Sequence, residues 1–137
     1  RRALDLVNDR HDLDPAGIVY YPRFMHFCHV AMEEFFRDAV GTDYPKLLRE
    51  HRIGFPVVHL ETEYHRPLRY GDDLEIEVAI PRVGGSSVSW RYRFLHRDIE
   101  RPAAESRIVT VCVAMDSFEK TAVPEWLGDL LRSPIAR

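Results

Sequence analysis

Lysine is nearly missing from this chain: Lys46 and Lys120 are the two present among 137 residues. Its positive charge therefore rests on arginine, whose planar fork of donors suits phosphates as well as ordinary surface ion pairs. There is no basic excess either. The 19 Lys and Arg are outweighed by 22 Asp and Glu, a formal net charge of −3. That balance excludes the strongly basic profile of a general nucleic-acid binder. Cysteine is scarce: Cys28 and Cys112 sit inside apolar segments with no metal-ligand spacing around them. Both read as small buried hydrophobes in a reducing compartment. No apolar run approaches the roughly 20 residues a membrane helix needs. The opening RRALDLVNDRHD lacks the apolar core of a secretory signal, so the cytoplasm is the expected location. With 45% hydrophobic residues, the chain is expected to form one domain, residues 1–137, around one core.

The apolar pattern changes period along the chain. Residues 3–8 read as a short strand. Pro22 suits the first turn of a helix, where its missing N–H costs nothing. Phe24, Phe27, Cys28, Ala31, Phe35 and Ala39 then recur at helical spacing, with His26, His29, Glu33 and Arg37 on another side. Gly41 is the expected stop, and residues 43–51 read as a second, short helix. After that, FPVVHLETEYHR alternates as a strand, with Val58, Leu60, Thr62 and Tyr64 on one face. PLRYGD makes a turn. DLEIEVAIPRV places Leu74, Ile76, Val78 and Ile80 together, and VSWRYRFLH does the same for Val88, Trp90, Tyr92 and Phe94. RIVTVCVAMDSF is apolar on both faces, the pattern of a central strand. VPEWLGDLL reads as a closing helix packed by Trp126, Leu127, Leu130 and Leu131. One aromatic helix followed by about four antiparallel strands predicts an α+β fold. Its sheet keeps open edges, which favour pairing with another copy.

The stretch HDLDPAGIVYYPRF, residues 11–24, stands apart. Two carboxylates, a Pro-Ala-Gly turn and a helix start fall within a dozen residues. Asp14 can simply cap the Pro15-Ala16-Gly17 turn. Gly17 permits a backbone angle or a close approach that a side chain would block. At the helix start, the free N–H of Tyr21 is placed to polarise an oxygen, helped by the helix dipole.

Taken with FPVVHLETEYHRPLRYGDDLEIEV, GGSS and KTAVP, this motif resembles the hotdog-fold acyl-CoA thioesterases, in particular the 4-hydroxybenzoyl-CoA thioesterase-like family. The pieces keep their order over residues 12–124. The resemblance implies a hotdog fold, a curved antiparallel sheet wrapped around a long central helix. It implies dimers, often paired into tetramers, with active sites at the dimer interface. The substrate would be a short or aromatic (benzoyl-type) acyl-CoA. No metal or redox cofactor, nucleic acid or membrane takes part. Asp14 matches the catalytic carboxylate, either as nucleophile or as general base on water. The Tyr21 N–H matches the main electrophile. Asp12 is better suited to orienting the loop.

Several further residues are site candidates. His26 and His29 lie three apart on the helix; they can line the pocket or pack at an interface, but two ligands do not complete a zinc site. In the aromatic-acyl relatives an aspartate stands at the position of His29. Glu33 and Glu34 matter because another hotdog branch carries its catalytic glutamate on this helix. His59, Glu61, Glu63 and His65 alternate on one strand face. At about 7 Å between successive same-face positions they are too spread to share one ion, while His59 can reach an acyl pocket. Tyr70, Gly71 and Asp72 form the family turn. Gly84 and Gly85 replace the adjacent arginines that hold the nucleotide phosphate in the enzyme this chain resembles. Arg82, Arg91 and Arg93 stand nearby. The competing readings are hydrolysis of acyl groups from acyl carrier protein and a non-catalytic acyl-CoA-binding hotdog protein. A dehydratase fits less well, because the Asp/Asn-His dyad of those enzymes is not found in its usual form.

Overall fold

The computed structural model describes residues 2–4, 22–41, 43–69, 74–96, 99 and 101–132. Helix α1 runs from Pro22 to Phe35 and widens into a π-helical turn over Phe36–Val40. Gly41 ends it in the left-handed region at φ 81°, its N–H donating to the Phe36 carbonyl. A second short helix, α2 (Tyr44–Lys46), is capped by Asp43, whose carboxylate accepts from the Lys46 N–H at 2.8 Å. It too continues as a wider turn, Leu47–His51.

The described residues form seven strands: β1 (Arg2–Leu4), β2 (Ile53–Gly54), β3 (Val57–Tyr64), β4 (Leu74–Val83), β5 (Ser87–His96), β6 (Ala104–Val111) and β7 (Val113–Ala114). Five of them form an antiparallel sheet in the order β1-β4-β5-β6-β3, and β2 pairs with β7. Val88, Trp90, Tyr92 and Phe94 of β5 all point inward and are buried. The helix stripe meets them there: Phe24 packs edge-on to Phe94 at 5.1 Å, and Phe35 edge-on to Trp90 at 5.6 Å. Burying a side chain of this size stabilises by about 1.5–3 kcal/mol.

The expected wrapping of a curved sheet around the helix is not what the structure shows. The five-stranded sheet is open, and neither sheet is closed or strongly curled. The physical reason lies in the helix surface. One stripe, Phe24, Phe27, Cys28, Ala31 and Phe35, is covered, while His26, His29, Arg37 and Asp38 stay exposed. A sheet packed on one stripe has no second apolar face to bend around.

The last long strand also differs from expectation. β6 begins earlier, at Ala104, and ends at Val111. The Cys112 N–H turns to the Ser86 carbonyl at 2.7 Å, and Val113–Ala114 joins the small sheet instead. β6 is nonetheless interior, as its pattern predicts, paired with β5 on one side and β3 on the other. The closing helix α3 (Glu125–Arg132) buries Leu127 and Leu131, whereas Trp126 and Leu130 remain exposed; the indole lies 5.0 Å from the His51 ring.

Candidate active site

Residues 25, 28, 29 and 32 share one side of α1 by helical spacing. This stripe, beside the deeply buried one, borders a cavity of about 230 Å³. Helix α1 contributes Met25, Cys28, His29 and Met32. The inner sheet face contributes Leu60, Tyr92, Ile108 and Thr110, and Tyr44, Phe55 and Val57 close the remaining wall. The Tyr44 hydroxyl is fixed by accepting the Phe55 N–H at 3.0 Å. The lining is apolar with a few polar groups at its margin, the usual make-up of a small-molecule site. Its two methionines can adjust to a flat ring and make sulfur–aromatic contacts.

Electrostatics removes one chemistry from this cavity. Burial pushes the Cys28 thiol up to about 12, against a smaller opposing effect from its hydrogen bond with Ser106. Burial also raises Cys112. The reactive species of a cysteine is the thiolate, so neither thiol is equipped to act as a nucleophile near neutral pH. Burial raises the Tyr92 phenol well above its ordinary value, with the nearby Cys28 adding to the effect. Tyr44 is raised for the same first reason, lowered in part by its backbone bond and raised again by Cys112 and Glu33. Both phenols are therefore neutral hydrogen-bonding groups.

His29 is the candidate site residue that lines this cavity. Its Nε2 lies 2.8 Å from Glu33 Oε1, one helical turn on. Glu33 is not itself among the lining residues and meets the cavity through His29. His26 is exposed on the helix, with its ring 6.2 Å from that of Phe27. His59 lies across the sheet, on the outer face, bonded to Glu61 at 3.0 Å. The structure thus brings His29 and Glu33 together and separates them from His59. Asp12, Asp14, Gly17, Tyr21, Tyr70, Gly71 and Asp72 lie outside the described residues. In the GGSS turn, the Gly84 N–H is consumed by the Ser87 carbonyl at 2.8 Å. Among the described residues no three His, Cys, Asp or Glu side chains converge to hold a metal ion.

Sequence reasoning missed Met25, Met32, Tyr44 and Phe55. The methionines carried a usable signal, since they flank Cys28 and His29 at helical spacing. Tyr44 and Phe55 carried none, because what brings them to the cavity is the path of the chain through α2 and β2.

Comparison with known proteins agrees with this geometry. The family model described as the thioesterase-like superfamily matches residues 10–131. The chain is 30% identical over 122 residues to a 1,4-dihydroxy-2-naphthoyl-CoA hydrolase of Synechococcus elongatus, covering 88% of each. It is 32% identical over 110 residues to the enzyme of the same name from Picosynechococcus, covering 80% of this chain and 71% of that one. Among solved structures, a 1,4-dihydroxy-2-naphthoyl-CoA thioesterase from Synechocystis superposes with a TM-score of 0.83 at 20% identity, over 95% of this chain and 94% of that one. The chain belongs to the thioesterase-like superfamily, the hotdog-fold thioesterases. It is a thioester hydrolase of the acyl-CoA thioesterase class.

Proposed function

We propose that this chain hydrolyses the thioester of an aromatic acyl-coenzyme A, with Asp14 as its catalytic carboxylate. The observation that carries the reading is the inner cavity beside α1. Its 230 Å³ falls below the roughly 300–1,000 Å³ of pockets that enclose drug-sized ligands. Its methionine and aromatic lining suits a compact, flat acyl group better than a long flexible chain. The names of the curated relatives, hydrolases of a naphthoyl-CoA, point to the same class.

In this mechanism the acyl ring enters the cavity and the thioester carbonyl sits at the N-terminal end of α1. The Tyr21 N–H, supported by the helix dipole, binds the oxyanion as it forms. Asp14 then works by one of two routes. It attacks the carbonyl carbon, expelling coenzyme A as a thiolate and forming a mixed anhydride that water cleaves. Alternatively, it takes a proton from water as the water oxygen attacks, and the proton passes to the departing sulfur. Both routes break the C–S bond and give a free carboxylic acid and the coenzyme A thiol. The His29–Glu33 pair supports a second reading, in which Glu33 is the base. Glu33 bonds the cavity-lining His29, although neither Glu33 nor Glu34 is itself among the lining residues.

The site would be completed by a second copy. β3 ends the sheet, so one of its edges is unpaired among the described residues. Along it Val57, Val58, Leu60 and Tyr64 are 54%, 59%, 43% and 49% exposed. A two-fold pairing along this edge would cover these residues, and Val57 and Leu60 belong to the cavity wall.

A panel of thioesters assayed by free-thiol release tests the function. Benzoyl- and naphthoyl-type CoA esters are expected to turn over faster than palmitoyl-CoA, graded by about 10- to 200-fold per unmatched pocket contact. A kcat/KM that climbs steadily to sixteen carbons refutes the compact pocket. Turnover of acyl carrier protein esters alone moves the substrate to that class. No turnover of any ester, with retained acyl-CoA binding, leaves a binding protein.

A further inference from the structure

The outer face of the sheet carries a second cavity, of about 370 Å³, unconnected with the proposed chemistry. Strand register determines its charge. On this face the cross-strand row through Arg93 reads Glu77, Arg93, Glu105, with an acid on either side of the arginine. Arg93 lies 3.4 Å from Glu77 and 3.5 Å from Glu105. The next row reads Ala79, Arg91, Arg107. Here the flanking strands offer Arg91 an alanine and a second arginine, and like charges directly opposite are unfavourable. Arg107 escapes the conflict by pairing with Glu105 at 3.0 Å, Glu63 at 3.6 Å and Glu61 at 3.8 Å. The Nε of Arg91 is buried without a hydrogen-bond partner, as is that of Arg93, but Arg93 has Glu77 and Glu105 as counter-charges, whereas Arg91 has no ion pair among the described residues. A guanidinium cannot shed its proton to relieve that cost.

The backbone is shaped around the same spot. β4 shifts register between Ala79 and Arg82, and β3 shifts between Val57 and His59. Bulges of this kind re-aim side chains and are enriched beside functional sites. Pro81, inside the first shift, and Val109 supply apolar walls, Ser89, Arg91 and Arg107 supply donors, and Glu61, the one carboxylate in the lining, is engaged by His59 and Arg107.

We propose that this outer cavity is an oxyanion site, in which Arg91 takes a phosphate or carboxylate group through its Nε and a terminal nitrogen. The anion completes the fork that no carboxylate among the described residues reaches, and it separates Arg91 from Arg107. The apolar walls leave room for the body of a small ligand beside its charged group. The site lies across the sheet from the inner cavity, so it is tested without reference to hydrolysis.

The test is titration of the whole protein with inorganic phosphate and, separately, with benzoate, following backbone amide resonances of β5 and β6. Saturable shifts are expected around Ser89–Arg91 and Arg107–Val109, with millimolar or tighter dissociation constants, in the range of about 1 mM for a small exposed ion site. Tighter phosphate binding identifies a phosphate ligand, and tighter benzoate binding an aromatic carboxylate. Arg91→Gln should weaken binding at least about tenfold, as loss of a charge-assisted fork requires. Arg93→Gln should change it by less than about twofold, and Arg91→Lys, which keeps charge but loses the fork, should fall between. Three results overturn the proposal: no saturable shift with either anion, equal weakening in the Arg91 and Arg93 variants, or a change of particle mass in Arg91→Gln without anion binding, which would make this face a contact between copies. A melting scan of each variant at the same concentration separates lost binding from lost folding.

Discussion

Thr110→Val tests how the sheet and the inner cavity are held together. The Trp90 indole N–H donates to the Thr110 hydroxyl at 3.1 Å, and that hydroxyl donates to the Val88 carbonyl at 3.3 Å. Trp90 is 1% and Thr110 2% exposed, so water cannot replace either bond. Valine keeps the shape of threonine and removes both. The stranded indole donor should cost about 1–3 kcal/mol, and the longer bond adds little. At about 2 kcal/mol, a chain of this length should melt roughly 6–10 °C lower. Calorimetry at one fixed protein concentration is the assay, because any self-association makes Tm concentration-dependent. Thr110 also borders the inner cavity. Since the volume is conserved, kcat/KM on the best thioester should change by less than the roughly tenfold that 1.4 kcal/mol of transition-state binding represents. Adding Trp90→Phe closes a double-mutant cycle. The pair should be less destabilised than the sum of the single changes by about 0.5–3 kcal/mol, the range for contacting residues. An unchanged Tm in Thr110→Val, or strict additivity in the cycle, refutes the reasoning.

Asp14→Asn should lower kcat by at least about 100-fold, the usual scale for loss of acid–base assistance, while the fold persists. Near-parent kcat in a folded variant shifts attention to Glu33. Stability should fall on the alkaline side: Cys28 is raised from 9.0 to about 12 in the folded protein, so its contribution is complete below pH 9 and is lost as pH rises from 9 toward 12. Tyr44 and Tyr92, also raised, act in the same direction; urea midpoints that hold or rise above pH 9 contradict their burial. Light scattering at low micromolar concentration should show a dimer or tetramer, and a clean 16 kDa species would sink the shared-site model. Val58→Glu, placed at the exposed β3 edge, should shift that assembly toward monomer.

The elements were legible wherever one periodicity ruled a segment. Phe24, Phe27, Cys28, Ala31 and Phe35 marked the buried stripe of α1, and Val88, Trp90, Tyr92 and Phe94 marked the inner face of β5. Gly41 marked the helix stop because its left-handed φ is a local requirement. Alternation in β3 assigned the right face to Leu60, Thr62 and Tyr64, with Thr62 bonded to Ser106 at 2.9 Å and Tyr64 packed on Phe24 at 4.8 Å, but it failed at Val58, because the register shift between Val57 and His59 puts Val57 at the cavity wall. Burial there was not legible, because β3 lies at the edge of the sheet and none of the described residues covers it. The break at Cys112 was hidden for a similar reason. RIVTVCVAMDSF is apolar throughout, and what splits it is the Ser86 carbonyl from a distant turn.

By itself, the sequence determined local periodicity and the superfamily that its motif signals. These depend on residues close together in the chain. Tertiary structure alone decided which same-face residues became neighbours. Register set Arg93 between two acids and Arg91 between an alanine and an arginine, although both arginines occupy equivalent steps of one alternating strand. It also put His29 at the inner cavity and His59 on the opposite side of the sheet, and it left the sheet open because a single helix stripe gave it one surface to cover. Each of these outcomes depends on pairing between strands far apart in sequence, where a one-residue slip exchanges the faces.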